Sequence, residues 1–151
     1  MIDELEGLYR AQLKEFTRAA TAIAGDPELG RDAVQDAFAK AVRSRRRFRG
    51  EGTLEAWVWR IVVNAARDAR RRNRPASVLP DLAAGEQSSD RRLPLALLTP
   101  RQQEVLFLHH YADLDYSTIG AALGISTGTV GATLSAARKT LRGALLKEVA
   151  S

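Results

Sequence analysis

The chain has 151 residues, of which 45% are hydrophobic and 27% charged, enough for one domain or two small ones and unlike a wholly disordered chain. It has no cysteine, which excludes a disulfide scaffold, a thiolate metal site and a cysteine nucleophile. The net charge of +5 is uneven: residues 1–30 carry −3, 31–75 carry +8, 76–95 carry −1 and 96–151 carry +1.

In chain order, Leu5, Leu8, Leu13, Phe16, Ala20 and Ile23 recur near a helical period and predict a helix over residues 1–24. Gly25-Asp26-Pro27 ends it and signals the next start. A second helix is expected from about Leu29 to Ser44, with Val34, Phe38, Ala41 and Val42 on its inner face. Arg47 to Gly52 reads as a loop, because two glycines flank a charge. A third helix is expected over Thr53–Arg72, burying Leu54, Trp57, Val58, Ile61, Val62 and Ala65.

Between Pro75 and Pro94 the pattern dissolves into proline, glycine and serine, and residues 76–93 read as a flexible linker. Helices are expected beyond it at about Pro100–His110, Ser117–Leu123 and Thr127–Lys147. No stretch alternates as a strand does. The expected fold is all-α, in two small helical domains at 1–75 and 94–151.

Tyr116 to Val130 has the spacing of a helix-turn-helix. Ile119, Leu123 and Ile125 are placed to face the core, and Gly120 and Ala121 are small where the helices cross. Gly124 suits a positive-φ turn and Ser126 an N-cap. Val130, Leu134, Ala137, Leu141 and Leu145 form the apolar stripe of the last helix. In such a motif the front of the second helix enters the major groove, here offering Thr127, Gly128, Gly131, Ala132 and Ser135, with Arg138, Lys139 and Arg142 toward the backbone. That front carries no Arg, Lys, Asn or Gln, so bidentate reading of guanine or adenine is missing. Each missing pair forfeits about 1–3 kcal/mol of discrimination. The domain alone is expected to bind weakly and to need a second contact or a tether.

The third helix has a polar stripe of Arg60, Asn64, Arg67 and Arg71, opposite its apolar face. Guanidinium groups match phosphate bidentately, and Asn64 is placed for a base or sugar contact. Arg47, Phe48 and Arg49 arrive at the same end, where aromatic, Arg and Gly together suit an unstacked base. Trp57 reads as core, whereas Trp59 lies off the core face, free for a base or for packing on the first helix. Asp32, Gln35 and Asp36 share one side of the second helix. An acidic patch in a basic domain suits a protein partner better than DNA, with an Asp36–Lys40 surface pair as the plainer reading.

These residues resemble a family. Asp32-Ala-Val-Gln-Asp-Ala-Phe38, Arg47-Phe-Arg-Gly-Glu-Gly-Thr53 and Trp57-Val-Trp-Arg-Ile-Val-Val-Asn64 are similar to region two of the extracytoplasmic-function sigma factors, small members of the sigma-70 family. Leu98-Thr-Pro-Arg-Gln-Gln-Glu-Val-Leu106 and Tyr116 through Leu141 are similar to their region four. The resemblance implies a non-enzymatic protein that binds core RNA polymerase and directs it to promoters. Asp32, Gln35 and Asp36 match positions that dock on the polymerase clamp. Arg47, Phe48, Arg49, Trp59, Arg60 and Asn64 match the stretch that reads the minus-ten element and holds a flipped base, with Arg67 and Arg71 continuing the stripe. Residues from Ser126 to Lys139 fall where region four reads the minus-thirty-five element, in a domain that also touches the polymerase flap. Members are usually silenced by an anti-sigma protein. The family commonly has basic residues at the places of Gly131, Thr133 and Ala136, and Ala at the place of Gly120. The alternative is a sigma-like interaction module that binds polymerase or an anti-sigma protein and reads little DNA.

No cofactor or metal is expected, since the adjacent His109 and His110 point about 100° apart on a helix and chelate one ion poorly. No apolar run approaches the roughly 18 residues of a membrane span, and the acidic N-terminus is unlike a signal peptide. The expected location is the cytoplasm, and no appended C-terminal domain is expected.

Overall fold

The computed structural model describes residues 1–73 and 95–150, and every regular element within them is helical. Helices α1 (Ile2–Ala24), α2 (Pro27–Arg43) and α3 (Leu54–Asn73) form the N-terminal half, with a 3-10 turn at Arg45–Arg47. A second 3-10 turn at Leu95–Leu97 leads into α4 (Pro100–His110), α5 (Tyr116–Leu123) and α6 (Thr127–Ala150). The linker expected at 76–93 lies outside the described residues.

Local chemistry sets the corners. Gly25 closes α1 in the left-handed region at φ 86°, and its N–H donates to the Thr21 carbonyl at 2.8 Å. Asp26 accepts from the Leu29 N–H at 3.0 Å, and Pro27 supplies a first helical residue that needs no donor. The two helices then touch backbone to backbone: a Cβ on Gly30 would lie 2.6 Å from the Thr21 Cα. Helix α1 breaks its geometry at Gln12 (φ −123°, ψ 21°). The apolar period is interrupted there, so Leu13, expected inside, is exposed while Phe16, Ala20 and Ile23 are buried.

Helix α2 buries Ala33, Val34, Ala37, Phe38 and Ala41, whereas Val42, also expected inside, is exposed. The buried face of α3 is rotated from the expected one. It comprises Ala56, Val58, Trp59, Val62, Val63, Ala66 and Ala69, and leaves Leu54, Trp57, Ile61 and Ala65 half-buried at its edges. The reason is rotational phase: the face of α3 turned toward α1 and α2 carries three buried alanines, Ala56, Ala66 and Ala69, beside Val58, Trp59, Val62 and Val63, and a pattern centred on large residues places the stripe off its true axis.

In the C-terminal half, Thr99 and Gln102 cap α4 reciprocally at 3.1 and 3.0 Å. Asp115 caps α5, accepting from the Thr118 N–H at 2.8 Å. Helices α5 and α6 turn through 100° about Gly124, which has φ 74°. Ser126 caps the front of α6, accepting from the Thr129 N–H at 3.1 Å. A Cβ on Gly120 would lie 2.6 Å from the Ile125 carbonyl oxygen, so the tight crossing does fall at Gly120; Ala121, expected beside it, is exposed and Ala122 is buried. Val130, Leu134, Ala137 and Leu141 are buried as the stripe of α6, but Leu145 is exposed.

The two halves are not separate beads. Their buried residues form one connected cluster running from Leu5 to Leu141, with α4 against α1 and α5 against α3. Among the described residues no single helix is long and apolar enough to cross a membrane.

Candidate nucleic-acid interface

The N-terminal half presents an arginine-rich edge. After α2, Arg45–Arg47 make one 3-10 turn, and the chain then passes Gly50 and Gly52 at φ 81° and 78°. Those values favour glycine, and they let the loop fold back on the start of α3. Thr53 caps α3 by accepting from the Ala56 N–H at 3.0 Å. Phe48 is thereby laid against Trp57, ring centroids 5.5 Å apart and tilted by 49°, with both rings half-buried. Arg47 and Arg49 flank this pair and are exposed.

Trp59 does not belong to that surface. It is fully buried, its ring 4.4 Å from Phe16 and its indole N–H donating to Gln12 Oε1 at 3.3 Å. Gln12 in turn donates to Glu55 at 2.7 Å, so the polar edge of the indole is satisfied inside the domain. The minus-ten assignment of Trp59 is therefore corrected: the accessible tryptophan is Trp57, read from sequence as core. The Arg-Phe-Arg loop one helix turn away was the available signal.

Further along α3, the polar stripe exists, but much of it is engaged. The Arg60 guanidinium donates to the Ala121 and Ala122 carbonyls at 2.7 and 3.3 Å. Arg67 forms a two-pronged ion pair with Glu104, a carboxylate only 5% exposed. That hydrogen bond raises the Arg67 pKa, so its charge is fixed. Asn64 is exposed and accepts from Arg67 at 3.3 Å. Arg71 is exposed and paired with Asp68 one turn away. Glu104 was missed as a partner, although it is the one carboxylate of α4 and directly precedes the apolar run Val105 to Leu108.

The acidic patch lies elsewhere on the same half. Asp32, Gln35 and Asp36 are all exposed on α2, and no ion pair joins Asp36 to Lys40 among the described residues. On the helix-turn-helix, Ser126, Thr127, Gly128, Ala132, Ser135, Arg138 and Lys139 are exposed, while Gly131 is half-covered by Tyr116. The helix front thus offers hydroxyls and methyls with cations two to three turns behind. His109 and His110 stack edge to face at 5.5 Å, and among the described residues no three His, Asp or Glu converge as metal ligands.

Comparison with known proteins fits this geometry. Residues 8–76 match the family described as Sigma-70 region 2, and residues 95–141 match Sigma-70, region 4. The RNA polymerase sigma-E factor of Streptomyces avermitilis is 31% identical over 92% of this chain and 83% of its own length. This chain belongs to the sigma-70 family of RNA polymerase sigma factors.

Within that family it is an extracytoplasmic-function sigma factor. The sigma-E factor of Streptomyces coelicolor is 29% identical over 95% of this chain and 86% of its own. Among solved structures, CnrH in complex with the cytosolic domain of CnrY superposes with a TM-score of 0.75 at 26% identity, covering 98% of this sigma factor and 90% of that chain. RpoE of Bartonella quintana, solved with the anti-sigma factor NepR, shares the fold at a TM-score of 0.63 and 21% identity, over 95% and 94% of the two chains. The family comprises non-enzymatic initiation factors.

Proposed function

We propose that this sigma factor divides promoter opening between two helical domains, 1–75 and 94–151, held on core polymerase. The exposed Asp32, Gln35 and Asp36 on α2 dock on the polymerase clamp. Arg47, Arg49 and the α3 residues Arg60, Asn64, Arg67 and Arg71 follow the minus-ten strand, with Phe48 and Trp57 as the platform for an unstacked base. The carrying observation is that aromatic pair, half-open and flanked by two exposed guanidinium groups. Unstacking a base costs a few kcal/mol. An aromatic platform returns about 1–3 kcal/mol per base, and the phosphate contacts supply the remainder. The nucleotidyl transfer belongs to polymerase; the role here is positional.

Residues Ser126 to Lys139 of α6 meet the minus-thirty-five duplex. Their exposed set gives mostly methyl and single hydroxyl contacts, so this domain contributes tethering more than base discrimination. The likeness to CnrH, solved in complex with the cytosolic domain of CnrY, supports a protein partner besides polymerase, in the role of an anti-sigma protein, and the cytoplasm as the working location.

Run-off transcription with core polymerase on a promoter pool tests the reading. Asn64→Ala and Trp57→Ala are expected to reduce open-complex formation at least about tenfold while leaving core binding unchanged. Equal loss of both activities refutes the assigned roles. Binding to core with no specific starts from the unaltered protein would favour the interaction-module reading, to which the cation-poor front of α6 already points.

A further inference from the structure

A polar side chain joins α1 to the front of α3. The backbone of α1 leaves helical geometry at Gln12, and the amide of that residue reaches α3. Its oxygen accepts the Trp59 indole N–H at 3.3 Å, and its nitrogen donates to Glu55 Oε2 at 2.7 Å. The two partners dictate the residue type. An indole only donates and a carboxylate accepts, so the side chain between them must do both, as an amide does. Glu55 and Trp59 stand at i and i+4 on one side of α3, whereas Trp57 lies about 200° round the helix from each. Gln12 therefore holds α3 from behind the more open tryptophan. Glu55 carries that hold into the first turn of the helix, which Trp57 shares.

The loop that delivers Phe48 has little of its own to fix it. A Cβ on Gly50 or Gly52 would meet no atom within 4 Å, so nothing presses on that side of the loop backbone. Phe48 rests instead on Trp57, ring centroids 5.5 Å apart, and the place of the pair follows from the first turn of α3. Turning α3 by about 15° moves a ring some 5–6 Å from the helix axis by about 1.5 Å. We infer that Gln12 is a positioning residue for promoter opening: through Glu55 it fixes the first turn of α3, and with it the angle at which Trp57 and Phe48 meet an unstacked base. This rests on the reading of that pair as the platform. Gln12 itself touches no DNA. The Trp59 indole orients the Gln12 amide and is secondary, so Trp59→Phe keeps the bond to Glu55 and the platform with it.

The test uses the full chain with core polymerase, on a promoter that the unaltered protein opens. Permanganate reactivity of unstacked thymines reads opening, co-elution reads core binding and urea unfolding reads stability. Gln12→Glu still accepts the indole N–H but sets a carboxylate against Glu55. It is expected to reduce opening roughly tenfold with core binding unchanged. Glu55→Gln alone offers an amide oxygen to Gln12 and is expected to open promoters normally. Gln12→Glu combined with Glu55→Gln exchanges donor and acceptor and restores both hydrogen bonds, and opening is expected to recover to within about twofold. Ile23→Ala truncates the core at the far end of α1, away from this contact, and serves as the stability control. Its folded molecules are expected to open promoters normally. If Gln12→Glu fails to fold, Gln12→Leu, which neither donates nor accepts, carries the same comparison. Normal opening by the Gln12 variant overturns the proposal. So does a double variant that does not recover, or an Ile23→Ala that loses as much opening at equal loss of stability. Failure of the platform reading shows separately, as Trp57→Ala leaving opening intact.

Discussion

The two tryptophans of α3 make the sharpest prediction, because sequence and structure assign them opposite roles. Trp59 is fully buried beside Phe16, with its N–H on Gln12. Trp59→Ala removes a large core ring, which costs about 3–5 kcal/mol. Set against a total stability of roughly 5–15 kcal/mol, that removes a large fraction of the margin that keeps the protein folded. Trp59→Phe is gentler. It loses a hydrogen bond worth about 1 kcal/mol and leaves a partial cavity of about 1–2 kcal/mol. Trp57 is half-buried and touches Phe48 at 5.5 Å. Its loss costs about 0.5–1.5 kcal/mol of ring contact plus some edge burial, and the domain survives it. Urea unfolding and permanganate footprinting of the open complex, run on each variant, separate the two. Trp59→Phe is expected to lower the unfolding midpoint while the remaining folded protein opens promoters normally. Trp57→Ala is expected to shift the midpoint less and to impair promoter opening. A stable Trp59→Phe that cannot open DNA, or an unstable Trp57→Ala that can, would refute the packing argument.

Other outcomes follow from the same geometry. Asp36→Lys reverses an exposed charge with no ion pair and should weaken core-polymerase binding first, measured by co-elution, with unfolding midpoints unchanged within about 0.5 kcal/mol. Gly120→Ala gains up to about 1 kcal/mol of helix propensity. It also drives a Cβ to 2.6 Å from the Ile125 backbone oxygen, and overpacking at about 1–3 kcal/mol wins, so calorimetry should show a lower Tm. The His110 pKa is lowered by burial first, then by the charges of His109 and Arg138. A histidine depressed in the folded state binds protons preferentially when unfolded, so stability falls as pH drops through the ordinary histidine range below about 6.5. His110→Gln should flatten that part of the urea midpoint against pH. Ser135→Arg, on the exposed face of α6, should add about 0.9 to the salt slope of duplex binding if that face meets phosphate.

Much of the architecture was legible without coordinates, because helix ends are written in local chemistry. Gly25-Asp26-Pro27, Thr99-Pro100 and Gly124 with Ser126 act within a turn of their own positions, and each appears as its residue type dictates. The exposure of Asp32, Gln35 and Asp36 was also legible, since apolar neighbours at helical spacing fix the opposite face. What the pattern misplaced was rotational phase. Trp57 and Trp59 are two residues apart, and the one that turns inward meets partners more than forty residues away, Phe16 against its ring and Gln12 accepting its indole N–H. Alanine-lined crossings also carry little weight in a hydrophobicity pattern, although close helix approach needs them.

Composition and local order determined an all-helical chain, its turn positions, its acidic and basic faces and its helix-turn-helix. Only tertiary packing decided which aromatic ring is open, and that Arg60 and Arg67 close on Ala121, Ala122 and Glu104. The physical reason is range: caps and turns are satisfied by neighbours in sequence, whereas a buried charge takes whatever partner the fold brings within about 3 Å.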